Sequence, residues 1–232
     1  MTASNHGVRN IFVPKLDWLY YMSVETKIIN LLGKKVFYRY TGDPGGNGKV
    51  LLTHGMRFTS EDWLRHDLLE RIANLGFEVY AIDYPGFGKS ETNESAVISS
   101  SPSGAGNLIE EFTRSIGGNW TCIVGPSMGG MIALSAVISH PDRFRSAVVI
   151  GSAGFDALKP RLTNIRIPVL ILWGENDPVI DPAVGRKFQE IIPNSTLHIL
   201  KSAGQAAYLD SPDEFLDLLN DFLSGITGKS NT

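Results

Sequence analysis

Six short runs, KVLLTH, FEVYAID, TCIVG, SAVVIG, IPVLILWG and STLHILK, are almost continuously apolar and rich in β-branched residues, and amphipathic stretches separate them. A strand with one face in water alternates apolar and polar side chains, whereas a strand covered on both faces does not. The recurrence therefore predicts an α/β fold, a mostly parallel sheet with helices on both faces. VETKIIN and KKVFYRY do alternate, and with the turn around Gly33 between them they read as an opening antiparallel pair. That makes about eight strands. Helical spacing fills the gaps. SEDWLRHDLLERIANLG reads as one helix with a Ser cap that ends at Gly76. MGGMIALSAVISHP stops before Pro141, and PDEFLDLLNDFLSG carries Pro212 and Asp213 in its first turn and closes at Gly225.

The chain has 232 residues, 43% of them hydrophobic, enough for a sizeable single core. We read residues 24–226 as one α/β domain, preceded by an arm, 1–23, whose IFVPKLDWLYYM segment is expected to pack on it. A disordered tail is expected over 227–232, and the small-residue stretch SAVISSSPSGAG, 95–106, reads as a loop. A net charge of −3 with scattered Lys and Arg gives no footprint for nucleic acid or an anionic membrane. The first residues lack the basic start and apolar run of a secretory signal, and the one cysteine, Cys122, lies in the apolar run WTCIV. A cytoplasmic protein with a buried thiol is the expectation, with a small molecule as partner and a protein partner left open.

GPSMG, residues 125–129, follows the strand WTCIV and opens a helix. A G-x-S-x-G turn between strand and helix needs Gly125 and Gly129 because the chain reverses so sharply that larger side chains would collide, and the turn lifts the serine hydroxyl clear of the sheet. Ser127 is the candidate nucleophile. The helix beginning after it points amides to the same place, so Met128 N–H is a candidate oxyanion donor. In THGM, 53–56, Gly55 leaves room for Met56 N–H to be the second donor, while His54 reads as a residue that fixes the loop rather than as a base. GENDPV, 174–179, sets Asp177 at the carboxyl edge of the sheet, where a carboxylate can orient a base; Asp181 is the fallback, and helix capping is the plainer role for either.

Together these elements resemble the α/β-hydrolase family over nearly the whole chain, from VETKIIN to the final helix. IDYPGFGKS, 82–90, is similar to that family's D-x-x-G-x-G-x-S loop, and the order Ser, acid, base matches. About fifteen residues, SAGFDALKPRLTNIR, join the sixth strand to the seventh, where many relatives insert a lid, so the resemblance implies a small capless member. LLTHGMRFTSEDW is close to the first loop of the small animal α/β-hydrolases first described as transcription-factor-interacting proteins, a group for which acyl chemistry has been proposed. The implied activity is attack of Ser127 on an ester, thioester or amide, with no metal or other cofactor. Arg57, Phe58 and Trp63 are candidates either for pocket lining or for packing.

One position departs from the pattern. The family has a histidine after the eighth strand, and the loop SAGQAAYLDSP puts Gln205 there. A carboxamide has no protonation near neutral pH and cannot relay a proton. Losing a triad member costs about 10⁴ to 10⁶ in turnover. Three explanations stay open: a deliberate replacement that inactivates the enzyme, a naturally inactive chain that binds its former substrate or a partner, or an enzyme using water or another base. None of His6, His54, His66, His140 and His198 is an evident substitute. GFGKS and GGNGK look like phosphate loops, but Asp83 and Asp43 stand where a Walker A loop needs its first glycine.

Overall fold

The computed structural model describes residues 23–92 and 102–228. The arm therefore lies, but for Ser23, outside the described residues, as do 95–101 of the 95–106 stretch and 229–232 of the tail. The eight strands form a single sheet: β1 (Glu25–Leu31), β2 (Lys34–Thr41), β3 (Lys49–Leu52), β4 (Glu78–Ile82), β5 (Trp120–Pro126), β6 (Phe144–Ile150), β7 (Val169–Gly174) and β8 (Ser195–Leu200). Their order is β1-β2-β4-β3-β5-β6-β7-β8. β2 runs antiparallel to β1 and β4, and every later pairing is parallel. Leu32 and Gly33, with φ of 51° and 76°, close the opening hairpin as a two-residue turn whose left-handed backbone matches the twist of the strands.

Of the six apolar runs, STLHILK is not buried on both faces, because β8 is the edge of the sheet, and Thr196 and His198 are exposed, alternating with the half-buried Leu197 and Ile199. The other five are buried on both faces, and the period of two shows in their partition. Ile123, Ala147, Val149, Ile171 and Trp173 point into one core with Phe112, Leu134, Leu158 and Phe188. Their neighbours Cys122, Val124, Val148, Ile150 and Leu172 point into the other, with Trp63, Leu69, Ile72, Phe215 and Leu219. The first core lies under α2 (Pro102–Ile116), α3 (Met128–Ser139), α4 (Phe155–Leu162) and α5 (Ala183–Ile191); the second lies under α1 (Leu68–Ala73), α6 (Ala207–Asp210) and α7 (Pro212–Thr227). Cys122 is fully buried, and burial pushes its thiol up to about 12.

Four further expectations need correction. SEDWLRHDLLERIANLG is not one helix: a 3₁₀ stretch, Ser60–Asp67, is capped by Thr59 with Asp62 in a reciprocal capping box, and the chain kinks where His66 and Asp67 take φ of 55° and 53° before α1 begins. PSGAG, 102–106, opens α2 rather than ending a loop. α7 passes through Gly225 and stops at Gly228, whose φ of 73° supplies the left-handed cap, while the Arg145 guanidinium donates to the Ile226 carbonyl. The boundary at 226 therefore falls inside the last turn of α7. Between β6 and β7 the chain carries only α4, so no lid domain is inserted there.

Candidate active site

The turn after β5 brings Ser127 out of the sheet. Its φ of 52° and ψ of −117° are strained for a residue with a Cβ, a conformation costing about 1–3 kcal/mol that persists only where the surroundings impose it. They do so on both sides of the residue. Ser127 N–H donates to Ile150 O at 2.8 Å, and Ser127 O accepts from the amides of Gly130, Met131 and Ala153 at 3.0, 3.2 and 3.1 Å. The flanking glycines are steric necessities: a Cβ on Gly125 would lie 2.3 Å from Gly129 O, and one on Gly129 would lie 2.6 Å from Thr53 Oγ1. Ser127 is half-buried and opens α3.

The loop after β3 is anchored against this turn. Thr53 bonds through both its N–H and its hydroxyl to Val124 O, at 2.9 and 3.0 Å, and the buried Trp63 indole donates to Thr53 O at 2.9 Å. Trp63 is therefore core packing rather than pocket lining. His54 is fully buried; its Nδ1 lies 2.8 Å from Gly55 O, and its Nε2 accepts from Tyr84 N–H at 3.2 Å. Those partners require the neutral tautomer with the proton on Nδ1, and burial holds the imidazole below its usual range. Both nitrogens are engaged in fixing the loop. The loop packs directly on the serine turn at Gly55, where a Cβ would be in ordinary contact with Ser127 Cβ at 3.6 Å and tight only against the Phe58 ring at 3.3 Å. The N–H groups of Met56 and Met128 have no acceptor among the described residues.

On the other side, the loops after β7 and β8 are stitched together: Glu175 N–H donates to Leu200 O and Asn176 N–H to Ala203 O, each at 2.9 Å. Gly174 makes the crossing feasible, because a Cβ there would stand 2.1 Å from Gly204 O. Asp177 is buried, and its Oδ1 accepts from Val179 and Ile180 N–H at 2.8 and 3.0 Å. Its Oδ2 faces Gly151, 3.2 Å from where a Cβ would be, and the Gln205 Nε2 sits 2.7 Å from the same point and donates to Gly151 O at 2.9 Å. Asp177 and Gln205 thus converge on Gly151, a residue with φ of 52° just after β6 that motif reading did not single out. Asp181 is exposed and accepts from Ala183 N–H at the start of α5, the capping role.

Gly55, Met56, Ser127, Met128 and Gln205 open onto one cleft of about 470 Å³, which Arg57, Phe58, Val179 and Ile180 also line. Asp177 is not among its walls. No histidine among the described residues lines it: His66 and His198 are exposed elsewhere, and His140 faces Asn107. The phosphate-loop reading fails on the geometry of Asp83, whose buried carboxylate takes Lys89 N–H at 2.8 Å and Ser60 N–H at 2.6 Å, filling the GFGKS turn from inside. Among the described residues no helix is long and apolar enough to cross a membrane.

Sequence and structure comparisons agree with this architecture. A family model described as serine aminopeptidase S33 matches residues 46–157, and one described as alpha/beta hydrolase fold matches residues 156–212. The chain is 30% identical over 203 residues to the rat protein named "Putative protein-lysine deacylase ABHD14B", covering 84% of this chain and 93% of that protein. It is 33% identical over 177 residues to zebrafish Protein ABHD14A, covering 76% of this chain and 64% of that protein. The crystal structure of a "predicted CIB-like hydrolase" from Thermoplasma acidophilum superposes with a TM-score of 0.83 at 31% identity, over 88% of this chain and 99% of that one. With the strained serine turn, the strand order and the lidless β6–β7 connection already in hand, the matches lead to one conclusion: the chain belongs to the α/β-hydrolase family.

Proposed function

We propose that the protein is a cytoplasmic serine hydrolase of the carboxylesterase or acyl-hydrolase type, in which Ser127 is the nucleophile and the amides of Met56 and Met128 receive the oxyanion. Gln205 occupies the place of the general base and leaves turnover strongly impaired. The observation that carries this reading is the meeting of Gln205 with Asp177 at Gly151, just behind the cleft that Ser127 and Gln205 both line. A histidine at 205 would be flanked by a carboxylate on one side and the serine's cleft on the other, the arrangement that lets an imidazole take the Ser127 proton and return it to the leaving group. The carboxamide instead gives its N–H to Gly151 O and exchanges no proton. Acyl groups bound to oxygen, sulfur or a lysine amine are the substrate class; the lysine amide comes from the name of the rat relative. The unlidded cleft favours short acyl chains, so Gln205→His protein that turned over only long-chain esters would contradict that part.

A serine-directed phosphonate probe tests the reading. Labelling of Gln205→His at Ser127, with slow or no labelling of the parent chain, is the expected result. Labelling of neither would overturn it in favour of a non-catalytic ligand-binding or protein-interaction module, since the probe needs only an activatable serine.

A further inference from the structure

The walls of the cleft are apolar apart from Ser127, Gln205 and one charge, that of Arg57. Its side chain is exposed, and among the described residues no carboxylate or carbonyl pairs with its guanidinium. Asp177, the nearby carboxylate, is sealed: its Oδ2 is buried and faces Gly151 rather than the cleft. Arg57 directly follows Met56, so it sits beside the place where a carbonyl attacked by Ser127 would lie. Met56 and Val179, exposed by 68% and 70%, add apolar surface at the cleft.

We infer that Arg57 selects ligands that carry an anionic group, a carboxylate attached through a short apolar spacer to the acyl carbonyl or to its leaving group. A guanidinium forks onto a carboxylate with two parallel hydrogen bonds, while the spacer lies on Met56, Phe58 and Val179. The same charge disfavours an α-ammonium group, for which the cleft offers no exposed carboxylate, so a free amino-terminal peptide of the kind an aminopeptidase takes is a poor fit. The inference deepens the proposed acyl-cleft reading, but it concerns recognition and needs no turnover.

The experiment uses uncleaved anilides on the chain as it stands: acetanilide, which is neutral, 4-acetamidobenzoate, with its anion on the amine side, and N-phenylglutaramate, with its anion on the acyl side. Dissociation constants are measured by NMR titration. At least one anion should bind tighter than acetanilide by about three- to ten-fold, the range for a single partly exposed guanidinium–carboxylate pair. Which of the two does so assigns the side, and added salt should shrink the preference. Arg57→Gln should abolish the preference, read as the ratio of anion to acetanilide affinity within each variant, and Arg57→Lys should retain part of it. Equal binding of all three, binding of none, or a preference that survives Arg57→Gln overturns the inference. Inert phosphonate labelling would count against the hydrolase reading alone, because these titrations do not involve Ser127 chemistry.

Discussion

Gly125→Ala is the sharpest perturbation of the serine turn. The added methyl would stand 2.3 Å from Gly129 O, 2.4 Å from Gly129 C and 2.6 Å from Thr53 Oγ1. Ordinary contacts begin near 3.4 Å, so about 1 Å must be found, and none of the three neighbours is the free end of a flexible side chain. Gly129 is backbone in the first turn of α3, and Thr53 is tied to Val124 O by two hydrogen bonds. Overpacking typically costs about 1–3 kcal/mol, and rigid neighbours put this case at the upper end, about 3 kcal/mol. For a domain of this size that lowers Tm by roughly 6–12 °C. Gly225→Ala is the matched control: nothing lies within 4 Å of its Cβ position, and it falls within α7, so it should stabilise by about 0.5–1 kcal/mol. Urea unfolding of both variants reads the difference. Gly125→Ala within about 0.5 kcal/mol of the parent would refute the reasoning, because the turn would then have slack that the geometry denies.

Two further perturbations probe the loop beside the serine. Trp63→Phe keeps most of the buried ring but strands the Thr53 carbonyl, and should cost about 1–3 kcal/mol in urea unfolding. His54 is held neutral by burial, with its folded pKa below the unfolded value near 6.5; the unfolded chain then binds the extra proton first, so the stability owed to His54 is complete above about pH 6.5 and is lost as pH falls below it. Urea midpoints across that window should fall more steeply for the parent than for His54→Gln, and parallel profiles would contradict this.

Much of this was legible in the residues because it rests on local rules. The double-sided burial of β3 to β7 is written in their apolar runs, and the hairpin in the alternation around Gly33, whereas the edge position of β8 depends on the order of the whole sheet. GPSMG located the serine turn because its glycines answer clashes that depend only on strand meeting helix. What was not legible depends on contacts distant in sequence. The kink at His66 and Asp67 interrupts a stretch whose side chains read as one amphipathic helix, and no breaker residue marks it. α7 outlasts Gly225 because its apolar spacing continues from Leu219 and Leu223 to the half-buried Ile226, whose carbonyl in the last turn accepts from Arg145 of β6. Gly151 had no motif of its own; its importance comes from Asp177 and Gln205 meeting over it, residues 26 and 54 positions farther along the chain. Trp63 could not be sorted between lining and core until Thr53 O was seen as its partner.

The central claim is that Gln205 alone separates this cleft from a working serine hydrolase. Steady-state kcat/KM for a short-chain aryl ester, compared between the parent chain and Gln205→His, measures it directly. The account predicts a gain of about 10⁴- to 10⁶-fold that Ser127→Ala removes. No gain, or a gain that persists without Ser127, would contradict it.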